Sequence, residues 1–459
     1  MAISTTRRGV SAVTFALGLS LVLAACGGDD EGGEDGNGDD TTGIGAGADC
    51  EALSAEYGDL SGTEITMYST IIAPEDEPLE ASFDKFEECT GATVIYEGSD
   101  EFEAQLPVRV EGGTPPDMAI LPQPGLLRTL VEDYPDAVVP APQAAEDNVD
   151  EFFSPDWKEY GTVGGTYYAA PFGANVKSFV WYSPTAFEEA GYEVPATWDD
   201  MLALSDQIVE DGGKPWCAGV SSGEATGWPA TDWVEDVVLR TAGAEVYDQW
   251  HTHEIPFNDP QIIEAMDTVG EILKNDDYVN GGLGDVSSIA TTRFEDAGLP
   301  ITLGQCYMHR QASFYAANWP EGTEIGEDGD IFAFYLPPIE AEHGNPVLGG
   351  GEFVAAFSDR PEVQAFQAYM ATADWHNERA SGPNFVSANR EVPLDTYDSP
   401  VNRLSAEILQ DEEAVFRFDA SDLMPGPVGT GSFWTGMVDW LTGASTQDVA
   451  DAIEESWPS

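Results

Sequence analysis

Positive charge is what this sequence has least of. It has 17 lysines and arginines against 84 aspartates and glutamates, which gives a formal net charge of −67. Such a surface repels the phosphate backbone of nucleic acids, so we exclude nucleic acid as a partner. It also repels itself in dilute buffer, whereas at molar salt the screening length falls to about 3 Å. The composition therefore indicates a halophilic or haloalkaliphilic source.

The N-terminal apolar stretch is too short to remain in a membrane. The uncharged residues 10–23 follow Arg7 and Arg8, and they are fewer than the roughly 20 that a membrane-spanning helix needs. A basic start, a short apolar centre and small residues at the end are typical of a signal peptide, which we predict at residues 1–25. The arginine pair is compatible with both the Sec and the twin-arginine export routes.

Residues Leu23-Ala24-Ala25-Cys26, at the end of this segment, resemble a bacterial lipobox. The resemblance implies that Cys26 is acylated and becomes the first residue of the mature protein. The alternative is an ordinary secreted protein in which Cys26 is incidental. Residues 27–47 are almost entirely Gly, Asp, Glu, Asn and Thr, a composition that cannot bury enough apolar surface to fold. We therefore predict that residues 26–48 are a tether holding the protein at the outer face of the cytoplasmic membrane.

Cysteine is scarce as well. Apart from Cys26, the sequence has four cysteines, at Cys50, Cys89, Cys217 and Cys306. An even number outside the cytoplasm predicts disulfides, for which three pairings are possible. A metal site is the alternative, but the sequence lacks CxxC spacing and has no histidine cluster beyond His251 and His253. We therefore predict no metal and no cofactor.

Short apolar strands alternate with helical segments in the N-terminal half of the folded region. Strands are predicted at residues 65–68, 93–96 and 117–121, with a helix opening at Pro78 and a second carrying Phe102 between them. The order strand, helix, strand, helix, strand builds a parallel sheet with right-handed crossovers. The sequence thus predicts an α/β fold, and a strand at residues 353–357 followed by another helix repeats the pattern.

Polar side chains follow the predicted strands, at the point where each strand ends. In parallel sheets, ligands bind beyond the carboxyl ends of the strands. The residues at these ends are Tyr68, Ser69, Asp100 and Gln123. They are candidate ligand contacts, although Asp100 could equally cap the helix that carries Phe102.

Three further motifs resemble the sugar-binding family of ABC importer solute-binding proteins. They are Gly165–Phe172 (GTYYAAPF), Val194–Asp200 (VPATWDD, where Asp200 replaces the usual Glu) and Leu348–Gly351 (LGGG). The resemblance covers roughly residues 65–457. It implies the two-lobed periplasmic-binding-protein fold, with a ligand cleft between the lobes. The implied lobe I is residues 49–170 and 346–385, and the implied lobe II is residues 171–345 and 386–459.

A narrower resemblance is carried by Pro215–Gly219, Ala225–Asp236 and His253–Phe257. These strings are similar to the α-glucoside-binding branch, whose importers take up disaccharides such as sucrose, maltose or trehalose. The resemblance implies a monomeric binding protein that passes an α-glucoside or another oligosaccharide to ABC transporter permease subunits. With the implied lobes, the pairings Cys50–Cys89 and Cys217–Cys306 are favoured, because each bridge then lies within one lobe.

A sugar site needs flat aromatic platforms beside paired hydrogen-bond donors and acceptors, because a sugar ring has an apolar face and a rim of hydroxyls. The predicted substrate-binding residues are Tyr68, Ser69, Asp100, Gln123, Trp228, Asp232, Trp233, Gly350, Glu352, Arg390 and Trp434.

Several of these residues have a purely structural alternative. Asp232 could form a capping box with Glu235 before a helix at residues 233–241. Trp233 and Trp434 could be core residues. Gly350 could make a turn, and Arg390 could form a surface ion pair.

Two functions of other classes use the same cleft. An extracellular glycoside hydrolase would need two carboxylates across it, and a sensor ectodomain would relay sugar binding to a kinase. The string Gly219–Gly223 matches the G-x-S-x-G nucleophile motif, but Gly227 and Pro229 follow where a helix should continue. No Walker lysine loop or zinc-binding helix motif is present either. We therefore predict a binding protein with no catalytic residues.

Overall fold

The computed structural model describes residues 50–458, except 51, 52, 54, 74, 283, 284, 412 and 413. The predicted signal peptide, Arg7 and Arg8, the lipidation site Cys26 and the tether lie outside the described residues. Within the described part, no helix is both long enough and apolar enough to cross a membrane.

The strands are short except where the chain passes through the middle of the first sheet. They are β1 (Glu64–Ser69), β2 (Thr93–Gly98), β3 (Met118–Leu121), β4 (Thr162–Val163), β5 (Thr166–Tyr167), β6 (Ala169–Val176), β7 (Phe179–Tyr182), β8 (Trp216–Cys217), β9 (Val279–Asn280), β10 (Met308–Arg310), β11 (Phe332–Tyr335), β12 (Asn345–Ala356) and β13 (Ala414–Phe418).

Helices cover the sheets and supply most of the C-terminal region. They are α1 (Asp76–Ala81), α2 (Asp84–Thr90), α3 (Phe102–Glu111), α4 (Pro124–Asp133), α5 (Gln143–Phe152), α6 (Pro155–Tyr160), α7 (Pro184–Ala190), α8 (Trp198–Glu210), α9 (Trp228–Thr241), α10 (Gly243–His251), α11 (Pro260–Leu273), α12 (Phe294–Ala297), α13 (Pro361–Met370), α14 (Ala373–Ala380), α15 (Pro400–Gln410), α16 (Ala420–Leu423), α17 (Trp434–Leu441) and α18 (Thr446–Glu455). A π-helical segment, Pro427–Phe433, leads into α17.

The first sheet has the strand order β13-β12-β3-β1-β2, and β6 also pairs with β12. Strand β1 runs parallel to both β2 and β3, which confirms the parallel sheet predicted from the alternation of strands and helices. Strand β12 is antiparallel to β3 and β6 and parallel to β13. The second sheet has the order β11-β7-β10-β8-β9. The two sheets with their covering helices confirm the predicted α/β, two-lobed fold.

The chain passes between the two sheets at three points that lie close together. The first is Lys177-Ser178, between β6 and β7, and the second precedes β12. The third is Asp419, because β13 belongs to the first sheet whereas Ala420 and Met424 are buried with the side chains of the second. Lys177 N donates to Leu348 O at 2.8 Å, and Asp419 N donates to Gly349 O at 2.8 Å. Backbone hydrogen bonds thus join the first and third crossings to β12, the strand that follows the second crossing.

The lobe ranges remain a prediction, but one stretch assigned to lobe II belongs by its pairing to the first sheet. Strand β13 adds to β12, and Val392 and Tyr397 are buried in the core of the first sheet. The chain therefore stays with the first sheet after residue 386 and leaves it at Asp419.

Two predicted helix starts are wrong. The helix predicted to open at Pro78 begins at Asp76 and breaks at Ser82, so Leu79 and Phe86 lie on two short helices. Helix α9 begins at Trp228, so Asp232 lies inside it and the predicted capping box does not form. Pro229 occupies the first turn, where a missing N–H costs nothing, so it starts this helix instead of interrupting it.

The predicted disulfides are confirmed. Cys50 bonds to Cys89 and Cys217 bonds to Cys306, with Cα atoms 4.8 Å and 5.7 Å apart. The first bridge ties the start of the described chain to α2. The second ties β8 to the segment before β10.

Candidate functional site

Lys177 is the centre of a buried charge cluster at the crossings. Its Nζ lies 3.0 Å from Asp232 Oδ1 and also bonds to Asp419 Oδ2. Asp419 Oδ1 accepts from the Ser421 hydroxyl at 2.8 Å. Because Asp232 belongs to α9 and Asp419 follows β13, the ammonium group links an element of each lobe.

The buried acidic face of α9 is compensated by two arginines. Arg310 on β10 lies 3.3 Å from Asp232 Oδ2 and 2.9 Å from Asp236 Oδ2, and Arg240 bonds to Asp236 Oδ1. The Ser178 hydroxyl donates to Asp236 Oδ1 at 2.8 Å. Buried carboxylates are tolerated only with such partners, so these ion pairs explain how α9 is buried with its charges.

The cluster shifts the protonation of its members. Burial alone would lower the pKa of Lys177, but the charges of Asp232 and Asp419 outweigh it and raise that pKa well above 10.5. Burial would raise the pKa of Asp419, and the charge of Lys177 lowers it instead. Burial raises the pKa of Asp232 to about 7, and burial together with the charge of Asp419 raises the pKa of Glu235. Lys177 and Asp419 are therefore the permanently charged pair.

Carboxylate oxygens of Asp232, Glu235 and Asp419 lie within 4.8 Å of one another, a spacing that could suit a metal ion. These carboxylates already have partners. Lys177 bonds to both aspartates, and Glu235 accepts from the backbone N–H groups of Ala420 and Ser421 at 3.1 and 3.2 Å. Lys177 and these backbone groups thus hold the three carboxylates together as one cluster.

Three half-buried aromatic rings meet beside this cluster. The ring of Trp228 lies 5.0 Å from Phe294 and 6.0 Å from Phe314, centroid to centroid. Lys177 Nζ lies 5.5 Å from the Trp228 ring. Gly227 packs against the backbone of Trp434, where a Cβ atom would be 2.1 Å from Trp434 O. The aromatic group is thus fixed at the start of α9 with ring surface left exposed.

One face of β6 connects the cluster to the first lobe. Alternate residues of a strand point the same way, so Gly173, Asn175 and Lys177 share this face. Asn175 Nδ2 lies 3.5 Å from Glu352 Oε1. Gly350 pairs with Asn175 in the sheet, and a Cβ there would lie 3.0 Å from Lys177 Cε. A glycine at position 350 lets the lysine side chain pass close to β12.

The first lobe contributes polar groups from the starts of α3 and α4. Gln123 precedes α4 and its side chain hydrogen-bonds to Glu103, whose pKa burial raises. Asp422 lies near Glu103 and Asp419, and burial followed by the charge of Asp419 raises the pKa of Asp422. Gln123 is therefore connected to the Lys177 cluster through the half-buried carboxyl groups of Glu103 and Asp422.

The structure brings together Trp228, Asp232, Gly350, Glu352, Gln123 and the backbone of Trp434, all predicted from the sequence. Trp233 instead packs against Trp216 at 5.2 Å, inside the second core. Tyr68 is buried against Phe102 at 4.8 Å.

The remaining three predicted site residues are Ser69, Asp100 and Arg390, and none of the ring contacts of Trp228, Phe294 or Phe314 involves them. Ser69 is fully buried, and its hydroxyl accepts from Ile71 N at 3.1 Å. Asp100 is exposed in the turn after β2. Arg390 is exposed beside a groove of α5 and α6 that includes Phe153 and Lys158.

Sequence reasoning missed Lys177, Asp419, Phe294 and Phe314. A signal for Lys177 was present: in a chain with five lysines, one stands between the apolar strands Ala169–Val176 and Phe179–Tyr182. A buried lysine in such a setting needs a carboxylate partner. Nothing in the local sequence marks the two phenylalanines, because the fold brings them to Trp228.

Comparison with known proteins identifies the family of this chain. Residues 72–377 match the model of the bacterial extracellular solute-binding protein family. The chain is 42% identical over 404 residues to the osmoprotective compounds-binding protein GgtB of Synechocystis sp., covering 87% of this chain and 94% of that protein. It is 40% identical over 412 residues to the alpha-glucosides-binding periplasmic protein AglE of Rhizobium meliloti, covering 87% and 88%.

Solved structures show the same fold. The bacterial solute receptor AcbH superposes with a TM-score of 0.72 at 18% identity, over 86% of this chain and 97% of that one. Maltose-bound MalE3 of T. maritima superposes with a TM-score of 0.65 at 17% identity, over 86% and 98%. On the strength of the family match and the two relatives, this chain belongs to the bacterial extracellular solute-binding proteins, as its motifs predicted.

Proposed function

We propose that this protein captures a neutral sugar, an α-glucoside disaccharide of the sucrose, maltose or trehalose type, and delivers it to the permease subunits of an ABC transporter. The observation that carries the proposal is the aromatic group of Trp228, Phe294 and Phe314, half-exposed beside the Lys177 cluster. Sugar rings stack on such surfaces while their hydroxyls bond to neighbouring polar groups. The relative AglE, an alpha-glucosides-binding periplasmic protein, supports the same ligand class.

The setting of the protein is part of the proposal. We infer export through the signal peptide at residues 1–25, acylation of Cys26 and attachment to the outer face of the cytoplasmic membrane. The surplus of carboxylates in the sequence supports a working environment of high salt.

A second candidate ligand class is an osmoprotective compound, and two observations favour it. The relative GgtB is named for such compounds, and the acidic composition suits a cell that lives in salt. The cluster of Asp232, Asp419, Glu352 and Lys177 combines acceptors with a donor, and the aromatic rings beside it suit the quaternary ammonium group of glycine betaine.

Calorimetric titration tests the proposal. The domain starting at residue 49 is titrated in molar salt with sucrose, maltose, trehalose, glucose and glycine betaine. We expect saturable binding of one disaccharide that is recovered intact after overnight incubation. Binding of glycine betaine alone would support the second class, and cleavage of the disaccharide would indicate a glycoside hydrolase. No binding by folded protein would contradict the α-glucoside proposal.

A substitution of Trp228 tests whether the aromatic group binds the sugar. Trp228→Ala removes the central ring, so we expect the disaccharide affinity to fall about 100-fold, with the melting temperature little changed because Trp228 is half-exposed. Trp319→Ala, a buried tryptophan that packs on Trp181 at 5.8 Å, is the matched control. It should lower the melting temperature without a comparable loss of affinity. Equal affinities of Trp228→Ala and wild-type protein would show that the ring is not a platform.

A further inference from the structure

Arg379, at the end of α14, is a buried cation without an ion pair in the described part of the chain. The residue is 6% exposed. Its Nη1 donates to Pro383 O at 3.1 Å, while Nε has no hydrogen-bond partner among the described residues. The guanidinium carbon lies 4.7 Å from the centroid of Phe385. A buried charge left in this state is costly, so the group is available to a partner that the protein itself does not supply.

Two carboxyl groups, those of Glu75 and Glu352, act on Arg379 through their charge, and neither forms an ion pair with it among the described residues. Glu75 follows β1 and Glu352 lies on β12, and the charges of both act on Arg379. A Cβ atom at Gly173 would lie 2.9 Å from Glu352 Oε2 and 3.3 Å from the Phe385 ring. Glycine at this position thus leaves the room in which Glu352, Phe385 and Arg379 come together.

This group lies on the same face of β6 as the Lys177 cluster, at the other end. Gly173 marks one end and Lys177 the other, with Asn175 and Glu352 between them. A strand rises about 3.3 Å per residue, so the two positions are separated by about 13 Å. That length accommodates two linked pyranose rings placed in line, and a single ring fills only part of it.

We propose that Arg379, Glu352, Glu75 and the ring of Phe385 form a second subsite, which binds the second unit of a two-unit neutral glycoside while the first unit lies against Trp228. The inference rests on the proposed function, since it specifies where the ligand's second ring is bound. Each hydroxyl of a sugar can both donate and accept. It can therefore accept from the guanidinium and donate to the carboxylates in one geometry.

The charge of the subsite selects against anionic ligands. When both carboxyl groups are ionised, two negative charges act on one guanidinium, so an added carboxylate or phosphate would meet net repulsion. A neutral polyol instead satisfies all three groups and shields the two carboxylates from each other. Burial, helped by the charge of Glu352, raises the pKa of Glu75 to about 7, so this carboxyl group can also act as a donor near neutral pH.

The test compares each disaccharide with methyl α-D-glucopyranoside, which has one ring. In Arg379→Gln, we expect the affinity for the disaccharide that wild-type protein binds to fall about 10- to 100-fold. The affinity for methyl α-D-glucopyranoside should stay within about 2-fold, because the Trp228 end is intact. Arg128→Gln, the same change at an exposed arginine of α4, is the matched control and should change neither affinity.

Glu352→Gln is the second variant, since it keeps the shape of the side chain if loss of the buried arginine impairs folding. It should lower the ratio of disaccharide to monosaccharide affinity in the same direction. An unchanged ratio in both folded variants, or an equal loss for both sugars, would overturn the subsite while leaving sugar capture intact. If wild-type protein bound none of the sugars, the proposed function itself would fail, and the subsite with it.

Discussion

Buried charges are paired at the Lys177 end of the β6 face, whereas the buried charge of Arg379 at the Gly173 end has no ion pair in the described part of the chain. At the Lys177 end, every charge has a partner: Lys177 meets Asp232 and Asp419, and Asp232 also meets Arg310. At the Gly173 end, Arg379 is as deeply buried as Lys177 but, among the described residues, its side chain hydrogen-bonds only to the carbonyl oxygen of Pro383. The difference suggests that the first end holds the three chain crossings together, whereas the second keeps hydrogen-bonding capacity for a ligand.

Asp232 has a structural role in the paired end of the β6 face. It was predicted as a ligand contact or a helix cap, yet both of its carboxylate oxygens face cations of the protein. An aspartate so engaged positions Lys177 and stabilises α9. Direct contact with a sugar is easier for groups that are half-exposed, such as Trp228, Asn175 and Glu352.

The largest effect on stability is expected from removing the positive charge of Lys177. Lys177→Met leaves Asp232 and Asp419 buried without their shared partner, so we expect a loss of about 3–5 kcal/mol in the free energy of unfolding. Urea unfolding measures it. Lys85→Met is the control, because Lys85 meets Glu378 at 3.7 Å near the surface and its loss should cost less than about 1 kcal/mol.

A double variant sharpens this result. Lys177→Met combined with Asp419→Asn removes both charges of the strongest pair, so part of the lost stability should return. If Lys177→Met alone were as stable as the wild-type protein, the crossings would not depend on the cluster. The proposed contrast between the two ends of β6 would then be wrong.

The sequence predicted the local elements of this contrast and missed the contacts that create it. Strands β1, β2 and β3 follow from short apolar runs, and Trp228 and Gly350 were identified by motif. The bonds of Lys177 join it to Asp232, 55 residues away, and to Asp419, 242 residues away. Contacts between such distant positions leave no periodic pattern, so only the folded chain reveals them.

Contacts between distant residues also explain why the predicted start of α9 is wrong. Capping rules make Asp232 a plausible N-cap before a helix at residues 233–241, but tertiary pairing with Lys177 and Arg310 allows an acidic residue inside a buried helix. Arg379 was not singled out at all. Its significance depends on Glu75 and Glu352, which approach it from other elements.

The contribution of the Gly173 end to the stability of the folded protein should depend on pH. Burial, then the charge of Glu352, raise the pKa of Glu75 to about 7, although Arg379 opposes the shift. The folded state therefore holds this proton more tightly than the unfolded chain, whose Glu pKa is near 4.5. Stability from this group is fully present below about pH 4.5 and is lost as the pH rises through about 7.

Glu75→Gln isolates that contribution. Allowing for the partial exposure of Glu75, we expect the variant to be more stable than wild type by about 1–2 kcal/mol at pH 8.5 and equal to it at pH 4.5. Urea unfolding at both pH values, without sugar, measures the difference. A constant difference across this range would mean that Glu75 is already paired, and the two ends of β6 would then be alike.

Salt provides the finest test, because it separates buried pairs from exposed ones. Lys158 lies near the surface, 2.6 Å from Asp150 and 3.0 Å from Glu146, and Lys158→Gln should cost about 0.5–1 kcal/mol in dilute buffer. At 1 M salt the Debye length is about 3 Å, so this cost should vanish while the cost of Lys177→Met persists.

Wild-type stability should rise with salt, since screening relieves the repulsion among its 84 acidic residues. Each variant is therefore compared with wild type at the same salt concentration. A deficit in Lys177→Met that faded with salt as that of Lys158→Gln does would mean that solvent ions reach the crossings, and that the charges at both ends of β6 are open to the cleft.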